Sequence, residues 1–327
     1  MHGEADVDSD ALNTFLTVHR RGGVSNAARV LHRSQPAISR RIALLEQELG
    51  VPLFERVAGR TKLSDAGRVM VPYAERAVAA ALDAENAIRA LARQNAGPVS
   101  LAVVGTLAGG LLSEILKRFA RTYPDVALGL RTATSAEVSD LIRRGEATIG
   151  LRYDMDRLRG LDYERLATEP LQVVCAPDHP LAGKRVARLV DLCAERWIAF
   201  PEIPGRREIS ASHVFALFQT HGLGEIAWTP VDSLTAQKRL VEAGFGIALL
   251  SQSNAADELR WKAIATIRVG DLAASQDIVA VTRRGGFLSA ASRRLLETIR
   301  EGYAGTNSAG HETGRPKQLR APKRGRK

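Results

Sequence analysis

Residues 34–50, SQPAISRRIALLEQELG, determine how the first part of this chain folds. Ser34 is a good helix N-cap, and Pro36 falls in the first turn, where the missing backbone N–H costs little. Four apolar residues then follow at spacings of four, three and four, namely Ile38, Ile42, Leu45 and Leu49. This periodicity predicts an amphipathic helix that ends at Gly50.

Two shorter helices are predicted before this one. Residues 8–21 carry apolar residues at helical spacing and end at Gly22 and Gly23. Ser25 can cap a second helix that contains Ala27 and Ala28. Two short helices joined by a tight link are typical of a helix-turn-helix.

The second helix of that motif presents polar side chains near its N-terminus, which are Ser34, Gln35, Ser39, Arg40 and Arg41. Short polar groups at this end reach base edges, and arginines contact phosphates or guanine. After it, residues 51–56 and 61–63 flank Ala58-Gly59-Arg60, which predicts a two-stranded wing with Arg60 at its tip. The alternative interpretation is that each arginine is an ordinary solvated charge on the protein surface.

Composition and charge narrow the function further. The chain has 327 residues and a net charge of +10. Residues 11–72 hold ten basic and four acidic side chains, and residues 306–327 hold seven and one. Basic ends on a nearly neutral body suggest a partner that is a polyanion. No apolar run is long enough to span a membrane, and the acidic N-terminus is unlike a secretory signal, so the cytoplasm is expected.

A long helix is predicted after Ser64 and Asp65. Apolar residues recur at alternating spacings of four and three, namely Ala66, Met70, Tyr73, Ala77, Ala80, Ala84, Ala87 and Leu91. A 3.5-residue period indicates a coiled-coil dimer contact, and Pro72 predicts a bend. The alternative is a helix that packs on its own chain.

The body alternates between strands and helices. Strands are predicted at 99–104, 126–130 and 148–151, with helices at 111–119 and 136–143 between them. A second block runs from a strand at 171–176, through helices at 212–221 and 234–243, to a strand at 246–250. This order predicts two α/β lobes on parallel, doubly wound sheets, with the chain crossing between them twice. A final strand at 277–282 and a helix at 289–303 complete the body.

The sequence closely resembles the LysR-type transcriptional regulators from Leu12 to about Ala77, through motifs such as Ser34–Ser39 and Leu53–Arg56. Looser matches, including 241–247 (VEAGFGI), continue into the body. The resemblance implies a winged helix-turn-helix at 8–64, a linker and dimerisation helix at 65–96, and a two-lobed effector domain of periplasmic-binding-protein type at 97–304. A disordered basic tail is expected at 305–327, which departs from the family pattern. It either adds non-specific DNA affinity by counterion release or is an inert solubilising tail or cloning remnant.

The resemblance also implies roles for individual residues. Gln35, Pro36, Ser39 and Arg40 would face the major groove of an operator, and Arg60 would lie against the minor groove or the backbone. The cleft between the lobes would be lined by Thr106, Leu107, Thr134, Ser135, Arg152, Phe200, Pro201 and Ser233. Hydroxyls and helix N-termini would hold a carboxylate or similar anion, with Arg152 adding charge. The alternatives are helix capping by the hydroxyls, a core position for Phe200 and an ion pair for Arg152.

These observations together predict a cytoplasmic DNA-binding regulator, not an enzyme, that assembles as a dimer or tetramer. Neither metal-ligand spacing nor a nucleophile or phosphate motif is found, so no cofactor or metal is expected besides a small-molecule co-inducer. Cys175 and Cys193 are predicted to be inert core residues, and the alternative is redox sensing, which occurs in a branch of the family that the sequence resembles. One alternative is a constitutive, architectural DNA-binding protein with a ligand-free body, and another is an enzyme fused to a helix-turn-helix.

Overall fold

Three helices and a hairpin form the first domain. The computed structural model describes residues 7–92, 98–155, 158–201 and 227–310, together with 217, 219 and 220. The helices are α1 (Ser9–Arg21), α2 (Val24–Val30) and α3 (Gln35–Leu49), followed by strands β1 (Phe54–Val57) and β2 (Arg60–Leu63). Phe15, Ile38 and Leu53 are almost fully buried between them.

Side-chain caps fix the starts of these helices. Asp8 Oδ1 accepts a hydrogen bond from the Ala11 backbone N–H at 2.6 Å, and Ser34 Oγ accepts one from Ala37 at 3.4 Å. The second helix is capped by the Gly23 backbone rather than by Ser25, because it begins at Val24, before the serine. The predicted cap at Ser25 is therefore wrong.

The fourth helix, α4 (Asp65–Ala92), is one continuous helix that contains Pro72. Ser64 Oγ accepts from the Gly67 N–H at 3.0 Å and donates to the Pro52 carbonyl at 2.6 Å, so it ties the helix start to the wing. A Cβ at position 67 would lie 2.1 Å from the Leu53 carbonyl oxygen. Glycine is therefore required for this close approach.

The first lobe is built on a mixed sheet. Strands β3 (Val99–Val104), β4 (Leu128–Ala133) and β5 (Ile149–Tyr153) are parallel, in the order β4-β3-β5. Helices α5 (Gly110–Thr122) and α6 (Ser135–Arg143) connect them. Leu101, Phe119 and Ile149 are buried in this lobe.

One long strand joins the two lobes. The first part of β6 (Leu161–Cys175) pairs with β12 (Ser275–Arg283), and its last residues pair with β10 (Ile247–Ser251) and β11 (Ala265–Val269). The chain therefore crosses between the lobes twice, as predicted. It leaves the first lobe along β6 and returns along β12. Both strands are antiparallel to their neighbours in the first lobe, so the sheet is mixed rather than purely parallel.

The second lobe completes the fold. It contains β7 (Arg185–Val186), β8 (Trp197–Ala199), β9 (Trp228–Pro230) and the helices α7 (Leu234–Glu242) and α8 (Gln252–Arg260). Its core is formed by Val173, Trp197 and Ile247. The helix predicted at 212–221 lies largely outside the described residues.

The last helix, α9 (Ala290–Gly310), is longer than predicted. The sequence predicts disorder from residue 305, but the helix continues for another six residues. The buried side chain of Tyr303 anchors this helix near its C-terminal end. Once a helix is anchored, each added residue gains a backbone hydrogen bond, so the helix extends past residue 304. Residues 311–327, the rest of the predicted tail, lie outside the described residues.

Candidate nucleic-acid and ligand sites

The N-terminal end of α3 presents a polar surface to solvent. Gln35, Pro36, Ser39 and Arg40 are all exposed, while Ile38 and Ile42 on the opposite face are buried. We call these four exposed residues the recognition surface. The N-cap residue Ser34, also predicted to contact DNA, is exposed beside them.

Arg41 does not belong to this surface. Its guanidinium NH2 lies 2.9 Å from Asp8 Oδ2 and 2.6 Å from Asp10 Oδ2, so it is held against the start of α1. The hydrogen bond from Ala11 and the charge of Arg41 keep the pKa of Asp8 below its usual value. A contact of Arg41 with DNA stays a prediction.

The wing is fixed to α3 by a single carboxylate. Glu46 Oε1 accepts hydrogen bonds from the backbone N–H groups of Leu53 at 2.7 Å and Phe54 at 3.1 Å. Val57 pairs with Arg60 across a two-residue turn in which Ala58 and Gly59 both have positive φ, as in a type I′ hairpin. Arg60 is exposed at the end of this hairpin.

The first domain also carries exposed cations that the sequence pattern did not single out. Arg29 on α2, Arg56 on β1 and Lys62 on β2 are exposed in the same domain. Arg29 is oriented by a hydrogen bond to Asn26 Oδ1 in the preceding turn. The sequence could have indicated them, because all three lie on the polar faces of the predicted helix and strands.

An apolar stripe follows α4 on the side facing away from the rest of the chain. Its large members are strongly exposed, and they are Val69, Tyr73, Ile88 and Leu91. Ala77, Ala80 and Ala84 are exposed between them, while Ala74, Ala79 and Ala90 are buried against the same chain. The helix thus packs on its own chain with one face and leaves a second apolar face for another partner.

A buried carboxylate on α4 connects this helix with both domains. Glu75, which is 5% exposed, forms ion pairs with Arg20 of α1 at 3.3 Å and with Arg143 of α6. Arg20 also pairs with Glu146 at 3.5 Å. Farther along, Asp83 pairs with Arg283 at 2.5 Å and accepts from the Phe287 N–H at 3.1 Å.

A cleft of about 790 Å³ lies between the two lobes. The first lobe contributes the ends of β3 and β4 and the start of α6, and the second contributes the ends of β8 and β10 and parts of α7 and α8. The carboxyl ends of parallel strands are the usual place for ligands in α/β folds. The cleft therefore lies where the strand order predicts a binding site.

Six of the eight residues predicted for this cleft line it: Thr106, Thr134, Ser135, Phe200, Pro201 and Ser233. Leu107 instead belongs to the core of the first lobe. Arg152 is fully buried, with Nε donating to the Tyr153 carbonyl at 3.2 Å and NH1 to Ser139 Oγ at 2.5 Å. Adjacent strand residues point to opposite faces, so Tyr153 rather than Arg152 faces the cleft.

Tyr153 forms the polar floor of the cleft with two neighbours. Its hydroxyl accepts hydrogen bonds from Thr106 Oγ1 at 3.1 Å and from Asn254 Nδ2 at 3.5 Å. Burial raises the pKa of Tyr153 to about 12, so the phenol stays protonated at neutral pH. Asn254 follows the strand β10 at the start of α8, a strand-to-helix turn that the sequence analysis did not use.

Two of the hydroxyls also cap helices. Thr134 Oγ1 accepts from the Glu137 N–H at 3.3 Å, and the Glu137 carboxylate accepts from the Thr134 N–H at 3.1 Å. Ser233 Oγ accepts from Ala236 at 3.4 Å at the start of α7. These residues therefore both line the cleft and complete its helix ends.

The described residues contain no group of three or more His, Cys, Asp or Glu side chains placed to bind a metal ion. No helix within the described ranges is long and apolar enough to cross a membrane.

Cys175 is buried, but Cys193 is exposed. The prediction of a core position is therefore wrong for Cys193, which follows the short 3₁₀ helix Leu189–Leu192 at the surface.

Two family models match this chain. Residues 9–68 match the helix-turn-helix domain of bacterial regulatory proteins of the lysR family, and residues 92–304 match the LysR substrate-binding domain. Together they account for the first domain and for both lobes.

Individual proteins show the same likeness. The RuBisCO operon transcriptional regulator of Allochromatium vinosum is 28% identical over 88% of this chain and 94% of its own length. The crystal structure of CbnR, described as a LysR family transcriptional regulator, has a TM-score of 0.60 and 28% identity, covering 91% of this chain and 99% of that one. CbnR in complex with its target DNA has a TM-score of 0.53 and 27% identity over 91% and 100%.

Proposed function

This chain belongs to the LysR family of transcriptional regulators, and from that premise we propose that its recognition surface enters the major groove of an operator. Arg60 then lies against the backbone or the minor groove. The exposure of Gln35, Ser39 and Arg40 at the N-terminal end of a supported helix carries the proposal, because such groups read base edges. The DNA complex of CbnR, a protein of the same fold, supports it.

The cleft holds a small effector in this proposal, with no other cofactor. Its position between two lobes that β6 and β12 connect allows ligand binding to favour one lobe arrangement over another. The contacts of Glu75 with Arg20 and Arg143 then link lobe position to the first domain. The alternative is a constitutive regulator with a ligand-free body, and calorimetric titration of the full chain with a panel of aromatic and aliphatic acids separates the two.

The exposed stripe on α4 is proposed as the contact between two copies of this chain. Its small alanines permit close helix approach, and Tyr73, Ile88 and Leu91 add buried area at its ends. A twofold dimer presents two recognition surfaces to two half-sites of one duplex. Pairing through the effector domains as well would give a tetramer.

The cytoplasm, where operator DNA is accessible, is the proposed location. Transcriptional regulators are not enzymes, and no catalytic step is proposed. The basic tail, residues 306–327, is proposed to add sequence-independent affinity through counterion release. Deleting it should flatten the salt dependence of DNA binding.

Specific binding to a duplex selected in vitro from random sequences tests the proposal. Arg40→Ala should weaken binding to that duplex by about 1–3 kcal/mol while changing binding to unrelated DNA much less. Arg121→Ala, which removes an exposed arginine of α5, is the control and should bind as the native protein does. Selection of no sequence, or equal affinity for Arg40→Ala and the control, would contradict the proposal.

A further inference from the structure

Two arginines border the recognition surface along the chain. Arg33 lies in the turn directly before Ser34, the N-cap of α3, and Arg41 directly follows Arg40, the last residue of that surface. Cations beside the base-reading face of a recognition helix contact phosphates and thereby fix the helix on the duplex. Both arginines are therefore placed where a cation would add to the affinity for the DNA backbone.

In the structure, carboxylates at the start of α1 hold both guanidinium groups. Arg33 Nη1 and Nη2 lie 2.8 and 3.2 Å from the two carboxylate oxygens of Asp10. Arg41 Nη2 lies 2.6 Å from Asp10 Oδ2 and 2.9 Å from Asp8 Oδ2. We call Asp8 and Asp10 the acidic pair. Its two negative charges balance the two positive charges of the arginines.

One oxygen atom of the acidic pair lies between the two arginines. Asp10 Oδ2 is 2.8 Å from Arg33 Nη1 and 2.6 Å from Arg41 Nη2. Guanidinium groups that converge on an anionic oxygen bind phosphate in the same way as carboxylate. The Asp10 carboxylate thus occupies the position in which these arginines would bind a phosphate of the DNA backbone.

These ion pairs lie at the surface rather than in the protein interior. The exposed fractions of the four side chains run from 32% for Arg41 to 52% for Asp8. Ion pairs this exposed contribute little to the stability of a fold. Their charges still act on a nearby duplex, because the Debye length is about 10 Å at 0.1 M salt. The acidic pair therefore affects DNA binding more than it affects folding.

We infer that the acidic pair limits sequence-independent binding of this chain to DNA by neutralising Arg33 and Arg41. The inference rests on the proposed function, because it assumes that the recognition surface meets a duplex. Sequence-independent affinity depends on how many phosphates the cations of a protein neutralise. A genome offers about 10⁶–10⁹ competing sites, so a lower affinity for each of them leaves more of the protein free to bind its operator.

Binding of the full chain to an unrelated duplex over a series of salt concentrations tests the inference. Asp10→Asn frees Arg33, whose carboxylate partner among the described residues is Asp10. The slope of log affinity against log salt should steepen by about 0.9, and affinity near 0.1 M salt should rise about fivefold, as for one more phosphate contact. Asp162→Asn is the matched control, because it removes a carboxylate from an exposed pair with Arg284 in the first lobe. It should change neither quantity.

Substitution of Arg33 shows whether this arginine carries the effect. Adding Arg33→Gln to Asp10→Asn should remove the gain in affinity, since no freed guanidinium remains at position 33. Arg33→Gln alone should leave the salt slope of the native protein nearly unchanged, because this cation is already neutralised. Circular dichroism should give the native spectrum for every variant, since all the exchanged side chains are partly exposed.

The inference is overturned if Asp10→Asn binds the unrelated duplex no more tightly than Asp162→Asn, or if the gain persists with Arg33→Gln. It is also overturned if Arg33→Gln alone flattens the slope by about 0.9, because Arg33 would then contact a phosphate in the native protein. Each protein is titrated with the selected duplex as well. Preference of the native protein for that duplex, with no gain in Asp10→Asn, rejects the inference alone. Absence of that preference in the native protein rejects the proposed function, whatever the variants do.

Discussion

Replacing Glu75 by glutamine should lower the free energy of unfolding more than the removal of any single exposed ion pair would. Glu75 is 5% exposed and pairs with Arg20 and Arg143, whose side chains are 25% and 31% exposed. The pairs thus join α1, α4 and α6, elements of both domains. Breaking a fully buried pair costs about 3–5 kcal/mol, whereas an exposed pair is worth about 0–1 kcal/mol.

The expected cost for Glu75→Gln lies between these limits. Each arginine retains another carboxylate, Glu146 for Arg20 at 3.5 Å and Asp140 for Arg143 at 2.6 Å. Both arginines are also partly solvated. We therefore expect a loss of about 1–3 kcal/mol.

Urea unfolding followed by circular dichroism measures this loss. Glu85→Gln is the matched control, because Glu85 lies on the same helix and forms an exposed pair with Arg89 at 2.9 Å. It should cost less than about 0.5 kcal/mol. A double-mutant cycle with Arg143→Gln should show coupling of about 1 kcal/mol. Equal stability of Glu75→Gln and Glu85→Gln, or no coupling to Arg143, would refute the reasoning.

Two further predictions concern single residues. Gly67→Ala should lower the thermal midpoint and increase proteolysis at the wing, because the new Cβ would lie 2.1 Å from the Leu53 carbonyl oxygen. Gly109→Ala is the control, since the space around its Cβ position is open. An equal effect of both substitutions would contradict the account. Burial raises the pKa of the Cys175 thiol to about 11 while Cys193 is exposed, so a thiol reagent at pH 8 should modify one cysteine in the native protein and two in urea. Rapid native labelling in Cys193→Ser would contradict this.

Much of the fold could be predicted because local signals agreed with the tertiary structure. Ser34, the apolar spacing of α3 and Gly50 all indicated the same helix, and the structure has it at Gln35–Leu49. The α4 period indicated an apolar face, and the structure leaves such a face exposed. Each of these features depends on residues close together in the sequence.

The features that the sequence did not indicate, or indicated wrongly, depend on long-range contacts. The pairing of β6 with β12 joins residues more than 100 positions apart, and nothing local to 161–170 specifies it. Arg152 was assigned to the cleft by position, but the orientation of its strand directs it into the first lobe toward Ser139. Arg41 pairs with Asp8 and Asp10, 33 and 31 positions earlier, and the local pattern did not indicate these ion pairs.

Photocrosslinking from the recognition surface tests the central claim most directly. A photoreactive amino acid at position 39, an exposed site on α3, should crosslink to the selected duplex upon irradiation. The crosslinked bases should fall in two half-sites whose centres are about 10 base pairs, or a multiple of that, apart. The same amino acid at position 117, an exposed site on α5, should give no crosslink. Absence of a crosslink at position 39 while the protein remains bound to the duplex would contradict the account.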